Sequence, residues 1–196
     1  MRKSLLIGLV TAAIGARALQ SLAVSAEGTP ATSESQLEKG RYLVTYGGCN
    51  DCHTPKLMGP DGPRPDLARE LSGYPEGKSL PAVPKDVIGP ARWGGLASDD
   101  LTAWVGPWGI SFAANLTPDT ETGLGSWTED MFKSAMRKGL HKGEGRPILP
   151  PMPWYAMAPM KDEDLAAIFA YLKSIPAVKN KVPEPVAPDK VHQPET

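Results

Sequence analysis

Cys49 and Cys52 are the only two cysteines in a chain of 196 residues, and His53 follows the second directly. Two thiols at this spacing can reach both vinyl groups of one haem and close thioether bonds. The next imidazole is then carried beneath the iron as its proximal ligand. Cys49-Asn-Asp-Cys52-His53 is therefore read as a c-type haem attachment site. A redox dithiol or a disulfide uses the same spacing, but a thioredoxin-like pair normally sits beside a βαβ pattern, and no such alternation is present. A structural zinc needs four ligands, and only His141 and His192 remain as nitrogen donors.

Iron held by one histidine has a second face. A thioether sulfur there gives the His/Met pair of electron-transfer cytochromes, which raises the reduction potential. Past residue 26 the candidates are Met58, Met131, Met136, Met152, Met157 and Met160. Met131 and Met136 fall on a helical pattern, where methionine usually fills core space, and Met160 directly precedes a helix. Met152 differs, because Pro151 and Pro153 stiffen its loop on both sides. Met152 is the expected axial ligand, with Met157 and Met160 as alternatives and His141 as the competing nitrogen. The His53 ring N–H facing away from iron should meet a backbone carbonyl, for which the chain near Pro60 or Pro63 is one source.

Helical segments must hold these groups. Ser33-x-x-Gln36 is a capping-box pattern, opening a helix from about Glu34 to Tyr46. Leu37, Gly40 and Val44 share one face, and Gly40, which costs a helix about 1 kcal/mol relative to Ala, fits either close approach of a second helix or a weak helix that tolerates glycine. Gly47-Gly48 ends this helix and releases the chain into the haem-binding turn. Ser126-x-x-Glu129 is a second capping box, opening a helix to about Lys138 that buries Phe132, Ala135 and Met136 and stops at Gly139. Asp162-Glu-Asp starts the last helix, favourably placed at the positive end of its dipole. Leu165, Ile168, Phe169 and Leu172 form its buried stripe, and Pro176 ends it.

Between the first and second helical regions, residues 57–112 hold nine Gly and eight Pro, so turns and extended chain are expected. The first half, 60–90, reads as mobile. Trp93, Trp104, Trp108 and Phe112 favour packing in the second half, with one short helical turn over Asp99–Val105. Residues 177–196 read as an extended Pro-rich tail.

The chain opens Met-Arg-Lys, runs apolar from Leu5 to Ala16 and exits through Ala23-Val-Ser-Ala26. That is the grammar of a secretory signal peptide, 1–26, too short for a spanning helix, with an uncleaved anchor as the alternative. Without it 18 basic residues face 22 acidic ones, a net charge of −4. That balance argues against a nucleic-acid partner. No later stretch is long and apolar enough to cross a membrane. Export to the periplasm also suits the motif, since c-type haems are attached after export.

These features resemble the class I c-type cytochromes. The match is a helix, Cys49-Asn-Asp-Cys-His53, a loop Met152, and an acidic-capped last helix ending Ala170-Tyr-Leu. Asn115-Leu-Thr-Pro-Asp-x-Glu-Thr-Gly-Leu-Gly-Ser-Trp127, Met152-Pro and Asp162-Glu-Asp-Leu are more narrowly similar to the cytochrome modules of membrane-associated alcohol and gluconate dehydrogenases. The resemblance covers residues 34–56 and 113–176. It implies an all-α, class I fold with three core helices around one covalent haem, the segment 57–112 being a long Gly/Pro-rich insert. It further implies that Cys49 and Cys52 hold haem c, that His53 and Met152 are axial, and that Gly40 and Val44 cross Tyr171 and Leu172. The chain departs from those modules in carrying one haem motif rather than several, in the length of the insert, and in Lys161 at a usual Ser/Thr cap.

An iron gripped by protein on both sides changes charge by one electron with little ligand movement. The expected function is an exported, soluble monohaem carrier between a periplasmic dehydrogenase or quinol-oxidising complex and an oxidase, and not an enzyme. The alternatives are a haem enzyme or sensor with an open distal site, and a fixed electron-transfer subunit docked through residues 57–112.

Overall fold

The computed structural model describes residues 33–191; the expected signal peptide, residues 27–32 and His192 lie outside the described residues. Within the described residues five helices and five strands are formed. In order they are α1 (Ser33–Tyr46), α2 (Cys49–His53), β1 (Lys56–Gly59), β2 (Gly62–Pro65), β3 (Leu96–Ala97), β4 (Ala103–Gly106) and β5 (Gly109–Phe112). Then follow α3 (Glu129–Lys138), α4 (Trp154–Met157) and α5 (Asp162–Ser174).

The interior is built where α1, α3 and α5 meet. Helix α5 buries Leu165, Ala166, Ala167, Ile168, Phe169 and Leu172, the stripe read from its spacing widened by two alanines. It crosses α1 at Gly40, where a Cβ would stand 2.7 Å from the Ala167 carbonyl carbon and 2.7 Å from Tyr171 Cβ. Only glycine fits that crossing, which decides for close approach over a helix that merely tolerates glycine. Helix α3 buries Phe132, Ala135 and Met136 and stops at Gly139, whose φ of 67° suits glycine and whose N–H bonds Ala135 O. Its cap, however, is Thr128 rather than Ser126: the Thr128 hydroxyl accepts from the Met131 N–H at 3.2 Å. That hydroxyl stands three residues before its donor, the distance a cap requires. Lys161 precedes α5 with no side-chain cap.

An all-α fold is not what the chain adopts. Lys56–Phe112 contains all five strands, in a two-stranded sheet β1-β2 and a three-stranded sheet β3-β4-β5, both antiparallel. Residues 99–105, expected as a helical turn, instead lead into β4, with Ala103 opposite Phe112. Each strand has four residues or fewer, too few for an alternation to stand out among the glycines and prolines. Nor is 60–90 loose throughout, since Leu71 and Tyr74 are among the most deeply buried side chains and Leu71 joins the helical core. Of the clustered tryptophans, Trp104 and Trp108 are half-buried while Trp93 is exposed.

Candidate haem site

The motif forms a helix of its own. Gly47 N–H bonds back to Leu43 O, closing α1, and Gly48 adopts φ 66° before α2 begins at Cys49. Left-handed backbone is open to glycine without strain, and it turns the chain so that α2 carries Cys49, Cys52 and His53 onto one cavity of about 780 Å³. Met152 lines the same cavity, with Trp127, Phe132, Met136 and Ile148 among its apolar walls. Met157 and Met160 pack against the helical core, while Met58 and Met131 are exposed. A second hollow of about 170 Å³, between Val83, Ile88 and Val105, contains none of the motif residues.

Both cysteines are half-buried, and no disulfide joins them. Burial pushes the Cys49 thiol up to about 11, against the lowering effect of a backbone hydrogen bond, and burial also raises Cys52. Reactive redox thiols have the opposite shift, so the setting suits neutral thiols facing an apolar cavity. His53 is buried, and burial lowers its pKa against a hydrogen bond to Ala114 that raises it. The Nδ1···O distance to the Ala114 carbonyl is 2.7 Å. A carbonyl only accepts, so Nδ1 carries the proton and Nε2 keeps its lone pair. The orienting carbonyl thus comes from residue 114, not from the turn near Pro60 or Pro63.

Two segments that sequence reasoning left aside complete this arrangement. Gly73 N–H donates to His53 O at 2.7 Å, and Tyr74 N–H donates to Ala113 O at 2.9 Å. Residues 73–74 therefore join the far end of α2 to the segment carrying Ala114. On the side of Met152, Ser111 of β5 donates to Pro150 O at 2.5 Å and accepts from Trp108 Nε1 at 3.2 Å. The small sheet of the insert so braces the proline-stiffened loop that carries Met152. Backbone carbonyls and a lone serine leave no mark in a sequence pattern, which is why neither stood out.

His141 lines the cavity too, its ring set edge-on to Trp127 at 5.0 Å. Burial, then Arg146 and Lys142, lower its pKa. Lys142, Arg146, Lys179 and Lys181 also line the cavity and are exposed, giving its solvent side a cationic character. The donor set fits a covalently held haem. Two thiols stand one helical turn apart, an imidazole is fixed with Nε2 free, and a thioether lies in the same apolar-walled space.

No family model matches the chain. It is 30% identical over 177 residues to a component of the nicotinate dehydrogenase of Pseudomonas putida, covering 90% of this chain and 12% of that one. It is 28% identical over 179 residues to the cytochrome c subunit of the quinone-dependent alcohol dehydrogenase of Gluconobacter oxydans, covering 89% and 29%. With the gluconate 2-dehydrogenase cytochrome c subunit of Pantoea cypripedii it shares 27% identity over 153 residues, covering 78% and 26%. The chain spans less than a third of the length of each of these relatives. By sequence it is a relative of the cytochrome c subunits of alcohol and gluconate dehydrogenases, the resemblance that its motifs carry.

Proposed function

We propose that the chain is a monohaem c-type cytochrome that passes single electrons and has no catalytic centre of its own. Cys49 and Cys52 would hold the haem as thioethers, and His53 Nε2 and the Met152 sulfur would be its axial ligands. The group supplies a one-electron iron couple; the protein supplies its burial, its ligand geometry and a surface for partners. The observation that carries the reading is the meeting of all four residues at one cavity, with His53 already held through Nδ1. Residues 1–26 would direct export to the periplasm, where attachment takes place.

The relatives' names favour partnership with a dehydrogenase, so the donor is proposed to be a periplasmic dehydrogenase or a quinol-oxidising complex. A mobile carrier delivering to an oxidase and a fixed subunit of a dehydrogenase complex are the two forms of that reading. Among the described residues no helix is long and apolar enough to cross a membrane.

Acid–organic extraction of the exported protein tests the reading directly. Colour should stay with the polypeptide, and the oxidised protein should show the far-red band of a sulfur–iron(III) bond. Colour released into the solvent, or never present, overturns it. Co-purification from periplasm distinguishes the mobile form from the fixed one.

A further inference from the structure

We propose that Val178–Val186 is a strap that closes the haem cavity and sets its potential, with Asn180 as the positioning residue that fastens it. The inference rests on the haem reading above. Sequence reasoning left this segment as an extended tail. It is extended, but it is tied at both ends. The Val178 N–H donates to Thr117 Oγ1 at 3.0 Å, and Val178 O accepts from Asn115 Nδ2 at 2.8 Å. At the other end Val186 and Ile110 exchange two backbone bonds of 2.8 and 2.9 Å. Between these ties Lys181, Val182, Pro183, Glu184 and Pro185 line the cavity that holds Cys49, Cys52, His53 and Met152. Two prolines in that run keep it extended at small entropic cost.

Asn180 is buried with both of its side-chain N–H groups and its amide oxygen hydrogen-bonded. Its Nδ2 donates to Ser72 O at 2.7 Å and Tyr74 O at 2.8 Å, while Oδ1 accepts from the Glu76 N–H at 2.7 Å. Its backbone N–H donates to Thr122 Oγ1 at 3.1 Å, and its carbonyl accepts from Asn115 Nδ2 at 3.4 Å. The segments it joins are the two that hold His53: Gly73 bonds the His53 carbonyl, and Ala114 accepts from the ring. One asparagine therefore fastens the cover and braces the frame of the proximal ligand.

The physical consequence is directional. Keeping water from the cavity lowers the local dielectric and disfavours the more highly charged state of a buried group. The oxidised iron carries one more positive charge than the reduced iron, so a closed strap raises the potential.

The test compares the exported, haem-loaded full chain with Asn180→Ala and with a chain ending at Ala177. Each is titrated spectroelectrochemically and its far-red band is recorded. Both variants should retain covalent haem and the band. At the parent's midpoint the reduced-to-oxidised ratio should fall about tenfold, a shift of about 59 mV for one electron. A role confined to folding would lower the melting temperature and leave that ratio unchanged. If the shortened chain does not accumulate, Asn180→Ala decides alone. Unshifted potentials in haem-loaded variants overturn the strap, whereas a parent without covalent haem overturns the haem reading itself.

Discussion

A Cβ placed on Gly40 would stand 2.7 Å from the carbonyl carbon of Ala167, with the Ala167 oxygen closer still. The first and last helices meet backbone to backbone at this point. Gly40→Ala gains about 1 kcal/mol of helix propensity, but it drives a methyl into a carbonyl that α5 has no freedom to move. Overpacking of this kind costs about 1–3 kcal/mol, and Gly40→Val, with more bulk and poorer propensity, costs more than Gly40→Ala. Chemical denaturation should show a loss of about 2 kcal/mol for Gly40→Val. Unchanged stability in both variants would mean that α1 and α5 are separated by more than the structure shows.

Gly73 offers a sharper probe of the proximal side. Its φ is 80°, and a Cβ there would lie 2.6 Å from the Ala114 carbonyl carbon. Gly73→Ala should therefore displace the carbonyl that accepts from His53 Nδ1, as well as strain the backbone by about 1–2 kcal/mol. The expected outcome is a haem-loaded protein with an altered potential, because a weaker bond at Nδ1 makes the ligand less basic at Nε2. A potential equal to the parent's would show that Ala114 does not tune the imidazole.

For the proposed distal ligand the comparison is among methionines. Met152→Ala should abolish the far-red band of the oxidised protein, while Met157→Ala and Met160→Ala should keep it and lose about 1–2 kcal/mol of stability from the half-buried packing they make. The reverse pattern would move the axial role to α4 or to the turn before α5. Retention of the band in all three would leave Met136, the other methionine on the cavity wall, as the thioether to vary next.

How far the sequence reads ahead of the structure depends on whether information is carried by contiguous side chains. Leu165, Ile168, Phe169 and Leu172 declare α5, and Phe132, Ala135 and Met136 declare the buried face of α3, because helical periodicity survives over ten or more residues. Cys49 to His53 is visible because the chemistry needs adjacent residues. Met152 stands out through its flanking prolines. The sheets do not, since β3 has two residues and the others four, and their pairing depends on turns such as Gly106–Gly109. Ala114 acts through its carbonyl, and Asn180 looks like any polar residue in a Pro-rich tail until its partners, 104 to 108 positions away, are known. Tertiary contact, not local pattern, gives those residues their roles.

Asp100 provides a prediction with a sign. Its side chain is 3% exposed and 2.9 Å from Lys78 Nζ, and it accepts from the Ser98 and Thr102 hydroxyls, each at 2.8 Å. Burial alone would raise its pKa; the hydrogen bonds from Lys78, Ser98 and Thr102 together outweigh that and hold it below the ordinary carboxylate value. A carboxyl depressed in the folded state contributes stability above its unfolded pKa, about 3.9, and that contribution is lost as pH falls through the folded value. For Lys78 burial acts to lower the pKa, but Asp99 and Asp100 outweigh it and the value is raised, so its share persists until pH rises past its folded value. Asp100→Asn should accordingly be less stable than the parent by about 1.5–2 kcal/mol at pH 7, the range of a hydrogen bond to a charged group, since Lys78 keeps Asp99 as a partner. The gap should narrow below about pH 4 as the parent's own carboxyl protonates. Denaturant unfolding at pH 7, 4 and 3 measures this gap, and a deficit of constant size across the three would show that Asp100 acts through its shape and not through its charge.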